Sequence, residues 1–273
     1  MQGPQSHMLD PQRLHLHHGP IDLIVQAWGR DWQAALEQAE VRFQTVLDEL
    51  VKELAQLRLP LAGNQFSGNV ANRMADAVAP FDQFVTPMAA VAGSVADEVC
   101  QAMTAGLEID KAYVNNGGDI AVYLKGGHEI AALIPTFGQV TLSADQSPRG
   151  LASSGWQGRS HSMGIADTVT VLANDAAAAD VAATLISNAV DLPGHKSISR
   201  QPANELQPDS DLGSRLVTVE VGILTCDETV QALAAGQRIA KEMLTQGLIA
   251  AAALFLNDQH CVVGSFPMIQ KTD

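Results

Sequence analysis

Two polar residues four apart interrupt an otherwise apolar run, Asp180 and Thr184 in Ala179-Asp-Val-Ala-Ala-Thr184. On a helix this spacing puts both on one face. A carboxylate and a hydroxyl there can hold a hard cation such as Mg²⁺, with water or substrate phosphate completing the octahedron. An Asp in an early helical turn also complements the helix dipole, which is a sufficient structural reason for it. A second group is Tyr113-Val-Asn-Asn-Gly-Gly-Asp119-Ile120. Gly117 and Gly118 can take positive φ and open backbone N–H groups to a ligand, flanked by the polar groups of Asn115 and Asp119. The plainer reading is a tight turn between two strands.

A third group is Gly150-Leu-Ala-Ser-Ser-Gly155 followed by Gly158-Arg-Ser-His161-Ser-Met-Gly164. Ser153, Ser154 and the amides around Gly155, together with the cation Arg159, suit a phosphate or carboxylate. His161 is the candidate acid or base. The plainer reading is a flexible surface loop. The fourth is Gly93-Ser-Val-Ala-Asp97, where Asp97 has a simple alternative as a solvated helix carboxylate. No Walker motif, strand-borne GxGxxG, HExxH, EF-hand loop or GxSxG elbow occurs, which argues against P-loop, Rossmann, zincin and serine-hydrolase chemistry.

These groups need elements to hold them. Ile21–Ala27 reads as a strand and Trp32–Leu59 as a long amphipathic helix ended by Pro60. Helices follow over Val70–Val78 and from Pro87 to about Thr104. From Ala112 the period changes to two, with strands at 112–114, 120–124, 129–134 and 139–142. Ser143–Asp167 reads as a Gly/Ser-rich loop, 168–173 as a strand, and the following Ala-rich stretch to Val190 as a helix capped by Asn174 or Asp175. Residues 191–213 read as loop. A strand at 216–224, a helix capped by Asp227 to about Leu244, an apolar strand or buried helix at 247–256 and a final short strand at 261–264 complete the chain. Strands and helices come in blocks rather than in βαβ alternation, so the class is α+β. Residues 1–19, with His15, His17 and His18, read as a flexible polar arm before a domain spanning 20–273.

The 273 residues carry 16 Lys+Arg against 30 Asp+Glu, a net charge of −14. Phosphate neutralisation supplies most non-specific nucleic-acid affinity, so nucleic acid is excluded as a partner, and anionic membranes are disfavoured for the same reason. Cys100, Cys226 and Cys261 form no CxxC pair, and the expectation is reduced thiols in a cytoplasmic protein. Only 17% of residues are charged, so a homodimer interface is one way to cover apolar surface.

In order and spacing, the four groups resemble the ApbE family, flavin transferases that attach FMN from FAD to Thr or Ser of a target protein using Mg²⁺. Those proteins carry a GAxxKGxxxD helix, a VNxGGxI strand, a Ser-Gly segment with a downstream His, a V-T-V strand and an A-D-A-x-x-T helix. The counterparts here are Val91-Ala-Gly93-Ser-Val-Ala-Asp97, Val114-Asn-Asn-Gly-Gly-Asp-Ile120, Ala152-Ser-Ser-Gly155 with His161, Val169-Thr-Val171 and Ala179–Thr184. Over roughly residues 20–265 the chain also resembles the UPF0280 proteins, in TPMAAVAGSVAD, NNGGDIA and GRSHSMGIADTVTVLA. The resemblance implies antiparallel, T-fold-like sheets flanked by helices, in a single unit of two pseudo-lobes with a cleft between them. It also implies Mg²⁺ on Asp180 and Thr184, with His161 and Asp97 as catalytic candidates. Asn115, Gly117, Gly118, Asp119, Ser153, Ser154, Gly155 and Arg159 become the ligand-binding set. Two departures argue against flavin. Ala92 stands where the family has Lys, and His161 is followed by Ser-Met-Gly-Ile-Ala-Asp167 instead of the DPxTG stretch. The expected activity is therefore that of a Mg²⁺-dependent transferase or related enzyme acting on a nucleotide, flavin or pterin-like phosphate ligand. The alternative is a non-catalytic ligand- or partner-binding protein.

Overall fold

Alternating burial builds the sheet. In Ile21–Gly29 (β3), Leu23, Val25 and Ala27 are fully buried while Asp22, Ile24 and Gln26 between them are half-exposed. The next helix, Trp32–Leu57 (α1), buries Ala35, Leu36, Ala39, Phe43, Val46, Leu47 and Leu50, a stripe at steps of three and four. That stripe packs on the buried row of β3. Each such Leu or Phe contributes about 1.5–3 kcal/mol by leaving water. The computed structural model describes residues 3–63, 65–134 and 138–267. Positions 1–2 of the expected arm and 268–273 of the expected domain lie outside them.

Gln5–Met8 (β1) and Arg13–His18 (β2) precede β3. Asn69–Val78 (α2) and a 3-10 turn at Pro87–Ala90 lead into Val91–Thr104 (α3). Ile109–Asn116 (β4), Asp119–Leu124 (β5), Glu129–Ile134 (β6), Gly138–Ser143 (β7), Gly150–Ser154 (β8) and Thr168–Ala173 (β9) follow. After Ala176–Ala189 (α4) come Ile198–Pro202 (β10), Ala203–Leu206 (α5), Leu216–Val221 (β11), Cys226–Thr245 (α6), Ala251–Leu256 (β12) and Gln259–Gly264 (β13).

Nine strands form one sheet in the order β1-β2-β3-β4-β5-β8-β9-β12-β13, and its registered pairs are antiparallel. The helices lie on one face and make two cores. Helices α1, α2 and α3 cover β2–β5, whereas α4 and α6 cover β8, β9, β12 and β13. These are the two halves that the sequence reading expected, carried on a continuous sheet. The β6–β7 hairpin closes the opposite face over β5, β8, β9 and β12.

Three stretches depart from the sequence reading. Residues 5–8 and 13–18, expected within a flexible arm, are strands of the sheet, and Leu14 and Leu16 enter the α1 core. The Leu14-His15-Leu16-His17 alternation of β2 is short and sits in a polar, histidine-rich stretch, which hid it. The expected loop 143–167 contains β8, whose small residues Gly150 and Ala152 lie under α4. The expected loop 191–213 contains β10, which pairs with β11. The cap of α6 is Thr225, not Asp227. Thr225 accepts from the Glu228 amide, and Glu228 accepts from the Thr225 amide at 2.7 Å.

Candidate functional site

The two cores meet where α3 crosses α4. A Cβ on Gly93 would come within 2.1 Å of the Ala176 carbonyl oxygen, so glycine is required for this approach. Asp97, one turn along α3, accepts from the amides of Ala176 at 3.0 Å and Ala177 at 2.9 Å. Asp175 accepts from Ala178 N at 2.8 Å. Two carboxylates therefore cap the first turn of α4. Asp97, a catalytic candidate from sequence, thus has both oxygens committed to helix capping. Burial pushes its pKa up to about 6, against the pull of those two amides.

Asp180 lies one turn beyond Ala176, on the side of α4 that faces α3. Its Oδ2 accepts from the Gly93 amide at 3.0 Å. The residue as a whole is half-buried, and the surrounding protein atoms desolvate its carboxylate. That desolvation, followed by repulsion from Asp119, drives its pKa well above the carboxylate range. Asp119 opens β5 opposite Asn116 and is buried. Its Oδ1 accepts from the Ser153 amide at 3.2 Å, and burial raises its pKa to about 7 despite the attraction of Arg159. Thr184 is partly exposed one turn further along α4.

Gly117 has φ +64° and Gly118 φ +117°, so the double glycine makes a left-handed turn. The Arg159 guanidinium lies directly on Gly117, where a Cβ would sit 1.7 Å from its Nη2. Any side chain at 117 would displace that cation. Asn115 accepts from the Gly118 amide at 2.8 Å, so its side chain braces the turn. Ser153 joins the site only by its backbone. Its hydroxyl pairs with Thr170 at 2.8 Å, and both side chains alternate with residues of the α4 core. Ser154, next along β8, is partly buried. Gly155 is buried because a Cβ there would meet the Asp167 carbonyl at 2.2 Å. The loop then runs from Arg159 to Ser162, which is fastened to α4 by Asn188. Asn188 Oδ1 accepts from Ser162 Oγ at 3.2 Å and from Met163 N at 2.9 Å. His161, partly buried, immediately precedes the Ser162 anchor.

The structure thus groups Asp97, Asp119, Asp180, Gly117 and Arg159, and turns the Ser153 hydroxyl away. Sequence reasoning missed Asn116, whose Nδ2 donates to the Ala92 carbonyl at 3.1 Å and ties the turn to α3. It also missed Asn188, which stands eight residues after Asp180 in the same Ala-rich helix. That continued polar spacing was the available signal. A 260 Å³ cavity lies behind the cap, lined by Arg73, Asp76, Phe81, Asp175 and Val181. Another, of 480 Å³, runs along Gln237, Lys241 and Thr245 of α6. Neither contains Asp119 or Asp180. Among the described residues no three His, Cys, Asp or Glu side chains are arrayed as a ready metal cage.

Fold and site together define an α+β protein with a cluster of desolvated carboxylates at the junction of two helix-covered halves of one sheet; the cleft expected between the halves is neither of the two cavities. A family model described as "AbpE bacteria" matches residues 5–263. A UPF0280 protein of Methanopyrus kandleri is 30% identical over 174 residues, which is 61% of this chain and 69% of that protein. A UPF0280 protein of Archaeoglobus fulgidus is 30% identical over 188 residues, 66% of this chain and 75% of that protein. The chain belongs to this ApbE-like UPF0280 family. The apo form of the Pseudomonas stutzeri flavinyl transferase ApbE is similar at 12% identity and a TM-score of 0.47, covering 96% of this chain and 95% of that one. The family assignment rests on the sequence matches.

Proposed function

We propose that the chain is a Mg²⁺-dependent enzyme of the transferase type, acting on a nucleotide, flavin or pterin-like ligand that bears phosphate. The observation that carries this reading is the Asp119–Asp180 pair. Two carboxylates are drawn into one desolvated neighbourhood, each accepting a backbone amide, and burial followed by repulsion from Asp119 raises the pKa of Asp180. A bound divalent cation relieves that crowding. Mg²⁺ sites commonly use one or two carboxylates and take the remaining oxygens from water and substrate phosphate, so a preformed cage of three is not required. Asp180 and Asp119 would supply the carboxylates and Thr184 a hydroxyl. When bound, the ion supplies charge neutralisation at a phosphate oxygen.

The rest of the chemistry falls to this chain's own side chains. Arg159, laid on Gly117, places a cation at the mouth of the turn and orients an anionic group. A Cβ on Gly118 would meet nothing within 4 Å, so that side of the turn, unlike the Gly117 side covered by Arg159, is open to a flat ligand. His161, next to the Ser162 anchor, is the proposed group that moves a proton. Because Ala92 replaces the family Lys and Asp97 caps α4, the ligand set differs from that of the flavin transferases. The same commitment of Asp97 favours a second reading, a binding protein without turnover.

One experiment separates the readings. Metal-stripped protein is incubated with FAD, FMN, ATP or a pterin phosphate, with and without Mg²⁺, and the products are resolved by mass spectrometry. Turnover of one ligand that needs Mg²⁺ and is lost in Asp180→Ala and His161→Ala supports the enzyme. Retention of a ligand without product, unchanged in His161→Ala, supports the binding protein. Neither binding nor turnover across the panel overturns both.

A further inference from the structure

We propose that His7 and His15, backed by Asp22, form a second metal site, for a borderline-soft divalent ion of the zinc class, on the helix-free face of the sheet. The register sets it up. His7 stands directly opposite His15 in the β1–β2 pair, and Asp22 stands opposite His17 in the β2–β3 pair. Period-two alternation puts these four side chains on one face, while Leu14, Leu16 and His18 turn into the α1 core on the other.

His7 Nε2 lies 3.3 Å from His15 Nδ1, with the rings edge-on. Two nitrogens bound tetrahedrally to one Zn²⁺ at about 2.0–2.1 Å stand roughly 3.3–3.4 Å apart, so the observed spacing is already that of a ligand pair. His15 Nε2 lies 2.9 Å from Asp22 Oδ1. With the carboxylate as acceptor, the Nε2–H tautomer of His15 is fixed and its Nδ1 lone pair points at His7. This is the carboxylate–histidine arrangement that orients metal-ligating imidazoles. On ion binding, neutral His7 exchanges its Nε2 proton for one on Nδ1 through solvent, so both facing nitrogens offer lone pairs and no net proton is lost. Exposed His17, with its ring 6.3 Å from that of His15, supplies a third donor on rotation, and water fills the rest.

The site is separate from the carboxylate cluster. It lies on the opposite face of the sheet and offers imidazole nitrogens, which Mg²⁺ disfavours. It also has something to hold. All four residues of edge strand β1 are exposed, so little apolar burial keeps β1 in place, and an ion shared between His7 and His15 would fasten it to β2.

The test is zinc titration of the full, metal-stripped chain against a chromophoric zinc indicator in excess Mg²⁺, in a Cys226→Ser background to remove the exposed thiol. One ion per chain is expected. His7→Gln and His15→Gln should each weaken binding at least tenfold, and Asp22→Asn by about 10–100-fold. Zinc should also slow amide exchange in β1 in the parent chain and not in His15→Gln. All four side chains are exposed or half-exposed, and circular dichroism confirms folding of each variant. Zinc affinity unchanged in both histidine variants, or no binding tighter than millimolar, overturns the proposal.

Discussion

Asp119 and Asp180 are held where neither is comfortable as an anion, and this has a consequence for pH. The pKa of Asp97 is raised to about 6, that of Asp119 to about 7, and that of Asp180 upward as well, whereas an unfolded chain ionises near 3.8. The native state therefore binds protons that the unfolded state has already released, and its stability falls as pH rises through that window. For Asp97 and Asp119 the stabilisation is complete below about pH 4 and gone by about pH 8, and Asp180 acts in the same direction. Carboxylates with lowered pKa, such as Glu228 at about 2, lose their contribution as pH falls from about 4.5 through about 2, so they leave the range of about pH 5.5–8 unaffected. Metal-free protein should melt at a higher temperature at pH 5.5 than at pH 8, and calorimetry in EDTA reads the difference. Excess Mg²⁺ should shrink it by favouring the ionised pair. Arg159→Ala should leave stability within about 0.5 kcal/mol, as for an exposed side chain, but weaken any phosphate-bearing ligand at least tenfold in titration. At this scale the sequence marked Asp180, Asp119 and Arg159 through polar interruptions of apolar or glycine-rich runs. It could not show that Ser153 points away, because strand β8 was hidden in a Gly/Ser-rich stretch, and side-chain direction follows strand phase.

Helices α3 and α4 position the site by touching almost backbone to backbone. Gly93→Ala forces a Cβ into the Ala176 carbonyl, so the helices must separate, at a cost of about 1–3 kcal/mol or more. Denaturant titration should show this loss, and weaker Mg²⁺ binding should accompany it because the Gly93 amide moves away from Asp180. Asp97→Ala removes a carboxylate that caps two α4 amides and should cost about 1–2 kcal/mol. Its effect on Mg²⁺ affinity should be much smaller than that of Asp180→Asn, which distinguishes a capping residue from a ligand. The two helices were readable from Pro87, the small residues after it and the Ala-rich run ending at Val190. Their contact was not, since small residues announce close packing without naming the partner.

Nine antiparallel strands with helices on one face carry the carboxylate cluster at the seam between two cores. The α+β class followed from strands and helices arriving in blocks. Strands β1 and β10 did not, because their sequences lack a clean apolar alternation and owe their order to neighbouring strands, whereas the Leu14-His15-Leu16-His17 alternation of β2 is short and set in a polar, histidine-rich stretch. No helix among the described residues is long and apolar enough to cross a membrane. With a net charge of −14, the molecule should not retard DNA in a mobility shift even at low salt, where phosphate attraction is strongest. The same charge leaves the cluster dependent on a cation. The most direct measurement is therefore a Mg²⁺ titration of metal-stripped protein at pH 8, followed by calorimetry, for the parent chain and Asp180→Asn. At about a hundred times Kd, Mg²⁺ should stabilise the parent by about 2.7 kcal/mol. Asp180→Asn should melt higher than the parent without metal and gain nothing from the ion. Equal Mg²⁺ stabilisation of both proteins, or none of either, would contradict a cation site at Asp180.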